Sequence, residues 1–163
     1  ERFEVWQAFS RPGCLPDGDM LPLGTLRVFQ GGEKTLLTPD EQVTLMSMWC
    51  LFRAPLMMGG DLTRLDDFTR TLLTREPVLS LLKKDTPARQ LRRDANEAVW
   101  QNGDTLGLFN LSDETRTVSV FMEELRLPEN RTATDLWTGE KRVFTDEIYV
   151  SLAPHACILL VLA

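Results

Sequence analysis

The first group in this sequence that could do chemistry is a pair of aspartates, Asp17 and Asp19. In an extended backbone, side chains two residues apart project to the same side, so the two carboxylates would lie close together. Two carboxylates that flank a glycosidic bond are the usual machinery of glycoside hydrolysis. Aspartates also occur in turns, where their side chains accept hydrogen bonds from nearby backbone amides. The spacing alone therefore leaves a sugar site and a structural role both open.

A third carboxylate, Asp61, follows a short uncharged run and two glycines. The run, residues 56–58, has the length of a strand, which would put Gly59, Gly60 and Asp61 at its carboxyl end. In barrel enzymes the active site lies at that end of the strands. The same residues also predict a tight turn followed by a helix N-cap. Asp61 therefore has two interpretations, a capping residue and a supporting residue beside a site.

The element that must position these segments is a helix with a complete start signal. Thr38 and Glu41 form a capping box, and Pro39 occupies the first helical position. Residues 43–52 are apolar almost throughout, which indicates a helix covered on more than one side. Residues 56–58 then predict a strand buried on both faces. A helix that leads into a buried strand is typical of parallel α/β architecture.

Shorter helices are predicted on both sides of this unit. Residues 2–9 carry aromatic side chains at helical spacing, and Thr63 is the predicted N-cap of a helix that follows Asp61. A short helix is predicted to begin at Glu76. Residues 85–96 are polar and charged, and we interpret them as a linker.

From residue 97 the hydrophobic period changes from 3.6 to 2. Asn102 and Gly103 form the strongest two-residue hairpin signal. The other strands are predicted at residues 115–122, 131–137, 141–144, 147–152 and 155–162. Six or seven short strands separated by turns predict an antiparallel β-sandwich.

The bulk composition excludes several classes of protein. The chain has 163 residues, is 43% hydrophobic and 26% charged, and carries a net charge of −6, which is typical of a soluble globular protein. The negative charge argues against a nucleic-acid or anionic-membrane partner, and no apolar run is long enough to span a membrane. Cys14, Cys50 and Cys157 lack metal-site spacing, so we expect reduced, mostly buried thiols and no metal.

Several motifs together resemble a known family. They are Asp17-Gly18-Asp19-Met20-Leu21 with Gly24, Gln42-Val43-Thr44 with Met46 and Trp49, Ala54-Pro55-Leu56 with Asp61-Leu62, Asp135-Leu136-Trp137-Thr138-Gly139, and Pro154-His155-Ala156. Their order and spacing resemble the α-galactosidases of glycoside hydrolase family 27 and their bacterial relatives. The first motif is similar to the family's D-x-D-M-L-x-x-G segment at the seventh barrel strand. The resemblance covers nearly the whole chain.

The resemblance implies an α/β plus all-β fold. Residues 1–84 would be the last two βα units of a catalytic (β/α)8 barrel, residues 85–96 the linker, and residues 97–163 the antiparallel β-sandwich. Since the chain begins with Glu1 and the resemblance starts inside a larger barrel, we expect a fragment or a cleaved product. The missing N-terminal barrel portion, or self-association, would then cover the exposed barrel surfaces.

The resemblance also implies a reaction, the retaining hydrolysis of terminal α-galactosides without a metal or organic cofactor. The family's nucleophile and acid/base lie on strands four and six, upstream of this chain, so the isolated chain is predicted to be inactive. By position, Asp19 and Met20 would line the sugar pocket, and Asp17 and Asp61 would support it. Leu15 stands where the family usually has tryptophan, which changes the pocket wall.

Three questions stay open at this level. A non-catalytic binding or oligomerisation module is the rival from another class, and aspartates at the ends of strands four and six in the upstream sequence would favour the enzyme instead. An α-N-acetylgalactosaminide or a β-L-arabinopyranoside could replace the α-galactoside as substrate. We expect a bacterial source, but the sequence does not distinguish a cytoplasmic from a secreted protein.

Overall fold

The structure, a computed structural model, describes residues 2–125 and 131–163. The N-terminal half is helical with short strands. Its elements are α1 (Arg2–Trp6), a 3-10 turn (Gln7–Phe9), β1 (Met20–Leu21), β2 (Thr25–Leu26), a second 3-10 turn (Val28–Gln30), β3 (Glu33–Lys34), α2 (Pro39–Phe52), β4 (Met57–Met58), a third 3-10 turn (Leu62–Arg64), α3 (Asp67–Thr74), α4 (Glu76–Leu79) and a fourth 3-10 turn (Ser80–Lys83).

The predicted capping box of α2 is confirmed. The Thr38 hydroxyl accepts a hydrogen bond from the Glu41 amide at 3.3 Å, and the Glu41 carboxylate accepts one from the Thr38 amide at 2.7 Å. The Thr38 amide and hydroxyl also hold the pKa of Glu41 below its usual value. The helix ends at Arg53, which adopts a left-handed conformation with φ of 61°.

The two short strands on either side of α2 pair in parallel. Met20 lies beside Met57, and Leu21 beside Met58, so helix and strands form the predicted parallel α/β connection. The prediction that β4 is buried on both faces is wrong. Met57 is 53% exposed because β1 is the only strand paired with β4 in the described part of the chain.

Two aspartates, rather than Thr63, cap the helical turns that follow β4. Asp61 caps the 3-10 turn Leu62–Arg64, where its Oδ1 accepts a hydrogen bond from the Thr63 amide at 2.9 Å. Asp66 caps α3, where its Oδ1 accepts from the Thr69 amide at 2.8 Å. The predicted cap is wrong because an aspartate stands at each position where the backbone actually turns, and carboxylates are strong N-caps.

The C-terminal half is made of antiparallel strands. Its elements are β5 (Arg89–Arg93), β6 (Glu97–Asn102), β7 (Thr105–Asn110), β8 (Arg116–Phe121), α5 (Met122–Leu125), β9 (Arg131–Asp135), β10 (Lys141–Phe144), β11 (Glu147–Leu152) and β12 (Cys157–Leu162). One sheet has the order β10-β9-β12-β7-β6-β5, and the second contains β8 and β11. Side chains from the two sheets share one core, so the predicted antiparallel sandwich is confirmed.

The segment predicted as a linker contains a strand. Residues 89–93 form β5 and pair with β6 at the edge of the large sheet. This strand was not predicted from the sequence, because the charge of its arginines is typical of a solvated segment. Arg92 instead pairs with Glu97 at 2.8 Å, and Leu91 packs against the sandwich core. Basic residues are common on edge strands, where they discourage pairing with other chains.

The hairpin between β6 and β7 is present but its turn is shifted by one residue. Asn102 pairs with Thr105, so the two-residue loop is Gly103 and Asp104. Gly103 has φ of 59°, and a glycine with positive φ at the first loop position is typical of a type II′ turn. Asn102 is fully buried instead, and its side-chain amide donates to the Leu51 carbonyl at 2.8 Å.

The large sheet is buried on both faces and joins the two halves. Successive residues of β6 show this, since Trp100 packs toward α2 while Val99 packs toward the small sheet. Polar contacts reinforce the junction, because the Trp137 indole donates to Ser47 of α2 at 2.7 Å and Arg75 donates to the Leu136 carbonyl at 3.0 Å. The layers are therefore helices, six strands and two strands. No helix among the described residues has the length and apolarity of a membrane span.

Candidate functional site

Asp17 and Asp19 form a tight, exposed turn directly before β1. Asp17 Oδ1 accepts a hydrogen bond from the Asp19 amide at 2.8 Å, and Asp19 Oδ1 accepts one from the Met20 amide at 2.7 Å. Asp19 has φ of 71°, a left-handed conformation that is uncommon outside glycine and that aspartate tolerates better than most residues. The turn uses one oxygen of each carboxylate, and both side chains are exposed.

Helix α2 holds this turn in place through Trp49. The indole Nε1 donates a hydrogen bond to the Asp19 carbonyl at 3.2 Å. Gly18 lies directly against the ring, where an added Cβ would be only 2.5 Å from Trp49 Cε2. A side chain at position 18 would therefore displace either the indole or the turn. The glycine between the two aspartates is required by this close approach.

The turn borders a depression of about 230 Å³. Its lining comes from α1, the turn and α2, and consists of Arg2, Phe3, Trp6, Pro16, Asp17, Gly18, Asp19 and Trp49. A second hollow, of about 360 Å³, shares Trp6, Pro16 and Asp17 and includes Leu15. Aromatic and apolar walls with a few fixed polar groups are the usual composition of small-molecule sites.

Met20 lies beside the aspartate turn and faces away from the core. It is 56% exposed, and its strand neighbour Met57 is 53% exposed, whereas the next residue of β1, Leu21, is fully buried. Successive side chains of a strand point to opposite faces. Met20 and Met57 are therefore paired neighbours on the exposed side of the strand pair, and Met20 follows Asp19 directly but is not among the residues that line the depression.

Asp61 does not lie beside Asp19 and Met20. It lies three residues beyond β4, at the opposite end of the strand pair, and its amide donates to the Thr25 carbonyl at 2.8 Å. Its carboxylate accepts hydrogen bonds from the Thr63 hydroxyl at 2.6 Å and from the Thr63 amide, and these bonds hold the pKa of Asp61 below its usual value. The geometry gives Asp61 a capping role that ties the end of β4 to the β2–β3 hairpin.

The sequence did not identify the aromatic residues that lie beside the aspartate turn. Trp49 belongs to the segment 43–52 that was predicted to be covered on more than one side, but it is half-buried and contacts the Asp19 backbone. Trp6 is 52% exposed and lines both hollows. A glycine between two turn-forming aspartates was the one available signal that a bulky group comes close. In residues 2–125 and 131–163, no group of three or more His, Cys, Asp or Glu side chains is placed to hold a metal ion.

Comparisons with known proteins agree with both halves of this architecture. Residues 99–162 match the model of the α-galactosidase C-terminal β-sandwich domain. A family 27 β-L-arabinopyranosidase from Geobacillus stearothermophilus superposes on 99% of this chain with a TM-score of 0.90 and 36% sequence identity. This chain corresponds to the C-terminal part of an α-galactosidase-like protein of glycoside hydrolase family 27.

Other relatives of this family 27 chain agree with that placement. A candidate α-N-acetylgalactosaminidase from Bacillus halodurans superposes on 99% of the chain with a TM-score of 0.86 and 30% identity. An α-galactosidase from Cyamopsis tetragonoloba is 28% identical over 164 residues, which is 94% of the chain. The family 27 chain spans about two fifths of these relatives, namely 40%, 42% and 38% of their lengths.

Proposed function

We propose that this chain is the C-terminal part of a retaining glycoside hydrolase that releases terminal α-galactosyl groups. The observation that carries the proposal is the match to a family 27 enzyme over 99% of the chain, which includes the helical half as well as the sandwich. In this proposal β1 and β4 are the last two strands of a (β/α)8 barrel. Residues 1–84 then belong to the barrel, and the sandwich domain begins with its edge strand β5 at Arg89 rather than at residue 97.

The chain would supply positioning groups rather than the reacting carboxylates. In a retaining hydrolase, one carboxylate attacks the anomeric carbon while a second protonates the leaving oxygen, and water then releases the glycosyl-enzyme. Asp17 and Asp19 are tied to backbone amides of their own turn, so we assign both reacting carboxylates to the preceding part of the protein. Asp19 would accept a hydrogen bond from a substrate hydroxyl, and Met20 would form part of the apolar wall.

A second substrate is favoured by one specific observation. The relative that is 36% identical acts on β-L-arabinopyranosides, and L-arabinopyranose has the ring stereochemistry of galactose without the exocyclic CH₂OH group. A site for one sugar therefore resembles a site for the other. Leu15, which is 45% exposed beside the turn, stands where the family usually has a larger aromatic residue and would alter the pocket wall. An α-N-acetylgalactosaminide is the third candidate.

The proposal also explains an exposed apolar surface around the strand pair. The exposed side chains are Trp6, Phe9 and Leu15, which line one hollow, and Met20 and Met57, which are neighbours in the strand pair. Contiguous apolar surface on a soluble protein marks a contact site, and an unpaired strand edge is normally covered. We assign this surface to the preceding barrel portion, with self-association as the outcome when that portion is absent.

The experiment that tests the proposal replaces Asp19 in the longer protein. Because loss of one preorganised polar partner costs about 10²- to 10³-fold in rate, Asp19→Ala should lower kcat/KM for nitrophenyl α-galactoside by that factor. Azide should not restore the rate, since azide replaces a missing nucleophile and Asp19 is not one. Asp67→Ala is the matched control, because its carboxylate is 98% exposed on α3.

Three results would count against the proposal. A wild-type rate for Asp19→Ala would remove this residue from the site, and rescue by azide would make it the nucleophile. Absence of glycoside hydrolysis by the longer protein, with the galactoside and the arabinopyranoside alike, would favour the non-catalytic binding module.

A further inference from the structure

A second groove lies on the outer face of the β-sandwich. The small sheet of β8 and β11 turns Val118, Val120 and Ile148 inward, where they are fully buried, and turns Phe121 and Tyr149 outward, where they are 56% and 61% exposed. Helix α2 packs on the other side of the large sheet. The groove therefore faces away from the surface that we assign to the preceding barrel portion.

The groove encloses about 630 Å³ and its walls are held in place. The Phe144 ring meets the Tyr149 ring edge-on with 6.4 Å between centroids, within the range of favourable aromatic pairs. Arg142 donates to both carboxylate oxygens of Glu140, at 3.3 and 3.0 Å, so its guanidinium has a fixed orientation. The Asp146 carbonyl accepts from the Met122 amide at 2.8 Å and secures the turn.

The combination of aromatic and charged side chains in this groove favours one class of ligand. Two exposed aromatic rings offer flat apolar surfaces, while Arg142, Asp146 and Glu147 offer charged hydrogen-bonding groups in the same groove. A purely apolar partner would take those charged groups out of water without replacing their hydrogen bonds to it, which is costly. Two carboxylates and a net charge of −6 disfavour a nucleic acid. A pyranose satisfies both requirements, because its C–H face packs on a ring and its hydroxyls hydrogen-bond to the polar groups.

We propose that this groove binds a neutral oligosaccharide or polysaccharide chain, with Tyr149 and Phe121 as the stacking surfaces. The binding needs no catalytic group, so it is independent of hydrolysis. Only the choice of a galactose-bearing polysaccharide as the first probe rests on the proposed function. Such a site would hold the enzyme on a polymeric substrate while the barrel site acts on its terminal sugars.

The test is affinity electrophoresis of the 163-residue chain through gels that contain soluble galactomannan or, separately, dextran. We expect retardation by galactomannan, and an apparent affinity about tenfold weaker for Tyr149→Ala and for Phe121→Ala, given the usual energy of an aromatic contact. Tyr149→Phe keeps the ring and should retain the affinity. Phe29→Ala removes another fully exposed aromatic side chain and is the matched control. Melting temperatures of all variants confirm that they fold.

The outcomes separate this inference from the proposed hydrolase. No retardation by either polysaccharide, or an equal loss in Phe29→Ala, would overturn the sugar groove. So would a Tyr149→Ala variant that dissociates a dimer in sedimentation without a change in retardation, since the aromatic patch would then contact a second copy of the chain. Retardation with the expected variant pattern, together with a longer protein that hydrolyses no glycoside, would leave the groove intact and refute only the enzymatic proposal.

Discussion

A single methyl group added at Gly18 should disturb the aspartate turn without touching either aspartate. In Gly18→Ala the new Cβ would lie 2.5, 2.7 and 2.8 Å from Trp49 Cε2, Cζ2 and Nε1. Ordinary carbon contacts are about 3.5–4.0 Å, so the indole must move by about 1 Å. That movement breaks the 3.2 Å hydrogen bond from Trp49 Nε1 to the Asp19 carbonyl. Overpacking of this kind costs about 1–3 kcal/mol of unfolding free energy.

Urea unfolding of the 163-residue chain measures this cost. With a slope near 2 kcal/mol per molar urea, a loss of about 2 kcal/mol lowers the midpoint by about 1 M. In the longer protein, the same substitution should reduce kcat/KM because it displaces Asp19.

A double-mutant cycle with Trp49→Phe shows whether the clash is the cause. The smaller ring leaves space for the added methyl group, so the double variant should be more stable than the sum of the single effects by about 1 kcal/mol or more. An unchanged midpoint in Gly18→Ala, or additive effects in the cycle, would refute the close packing of Trp49 on the turn.

Three further predictions concern the chain as a whole. Burial raises the pKa of Cys50 to about 12 and desolvation raises that of Cys157 to about 11, so at pH 8 only the exposed Cys14 should react quickly with 5,5′-dithiobis(2-nitrobenzoate); two fast thiols would contradict this. The hydrogen bond from Lys34, with that from the Thr69 amide, holds the pKa of Asp66 well below its usual range. The ionised Asp66 carboxylate therefore stabilises the fold above about pH 4, and this stabilisation is lost as the pH falls further. Asp66→Asn should flatten the acid side of a curve of stability against pH, and an unchanged curve would count against this role. Finally, the isolated chain should self-associate or bind a hydrophobic dye, whereas a dye-free monomer in sedimentation would contradict the exposed barrel surface.

Features set by neighbouring residues were predictable from the sequence. The capping box of Thr38 and Glu41 lies within four consecutive residues, so the residue types alone predict it. The sandwich followed from alternating hydrophobicity, which reports directly which side chains face a core. The β5 strand was missed because arginines at an edge are compatible with both a strand and a solvated loop, and only the pairing with β6 decides between them.

The candidate site depended on contacts between distant parts of the chain. The resemblance indicated Asp19 and Met20 as candidate site residues, but nothing local indicated that Trp49, thirty residues later, would donate to the Asp19 carbonyl. Asp61 had two interpretations in the sequence, and the structure shows the capping one, in which its carboxylate accepts a hydrogen bond from the Thr63 amide. Only the parallel register of β1 and β4 reveals that Asp61 and Asp19 lie at opposite ends of the strand pair.

The stereochemistry of the first product tests the central claim most directly. Proton NMR of the longer protein acting on nitrophenyl α-galactoside would record which anomer of galactose appears before mutarotation. A retaining family 27 hydrolase releases the α anomer first, because two successive displacements restore the configuration. Initial release of the β anomer, or the same turnover by the 163-residue chain alone, would contradict the account.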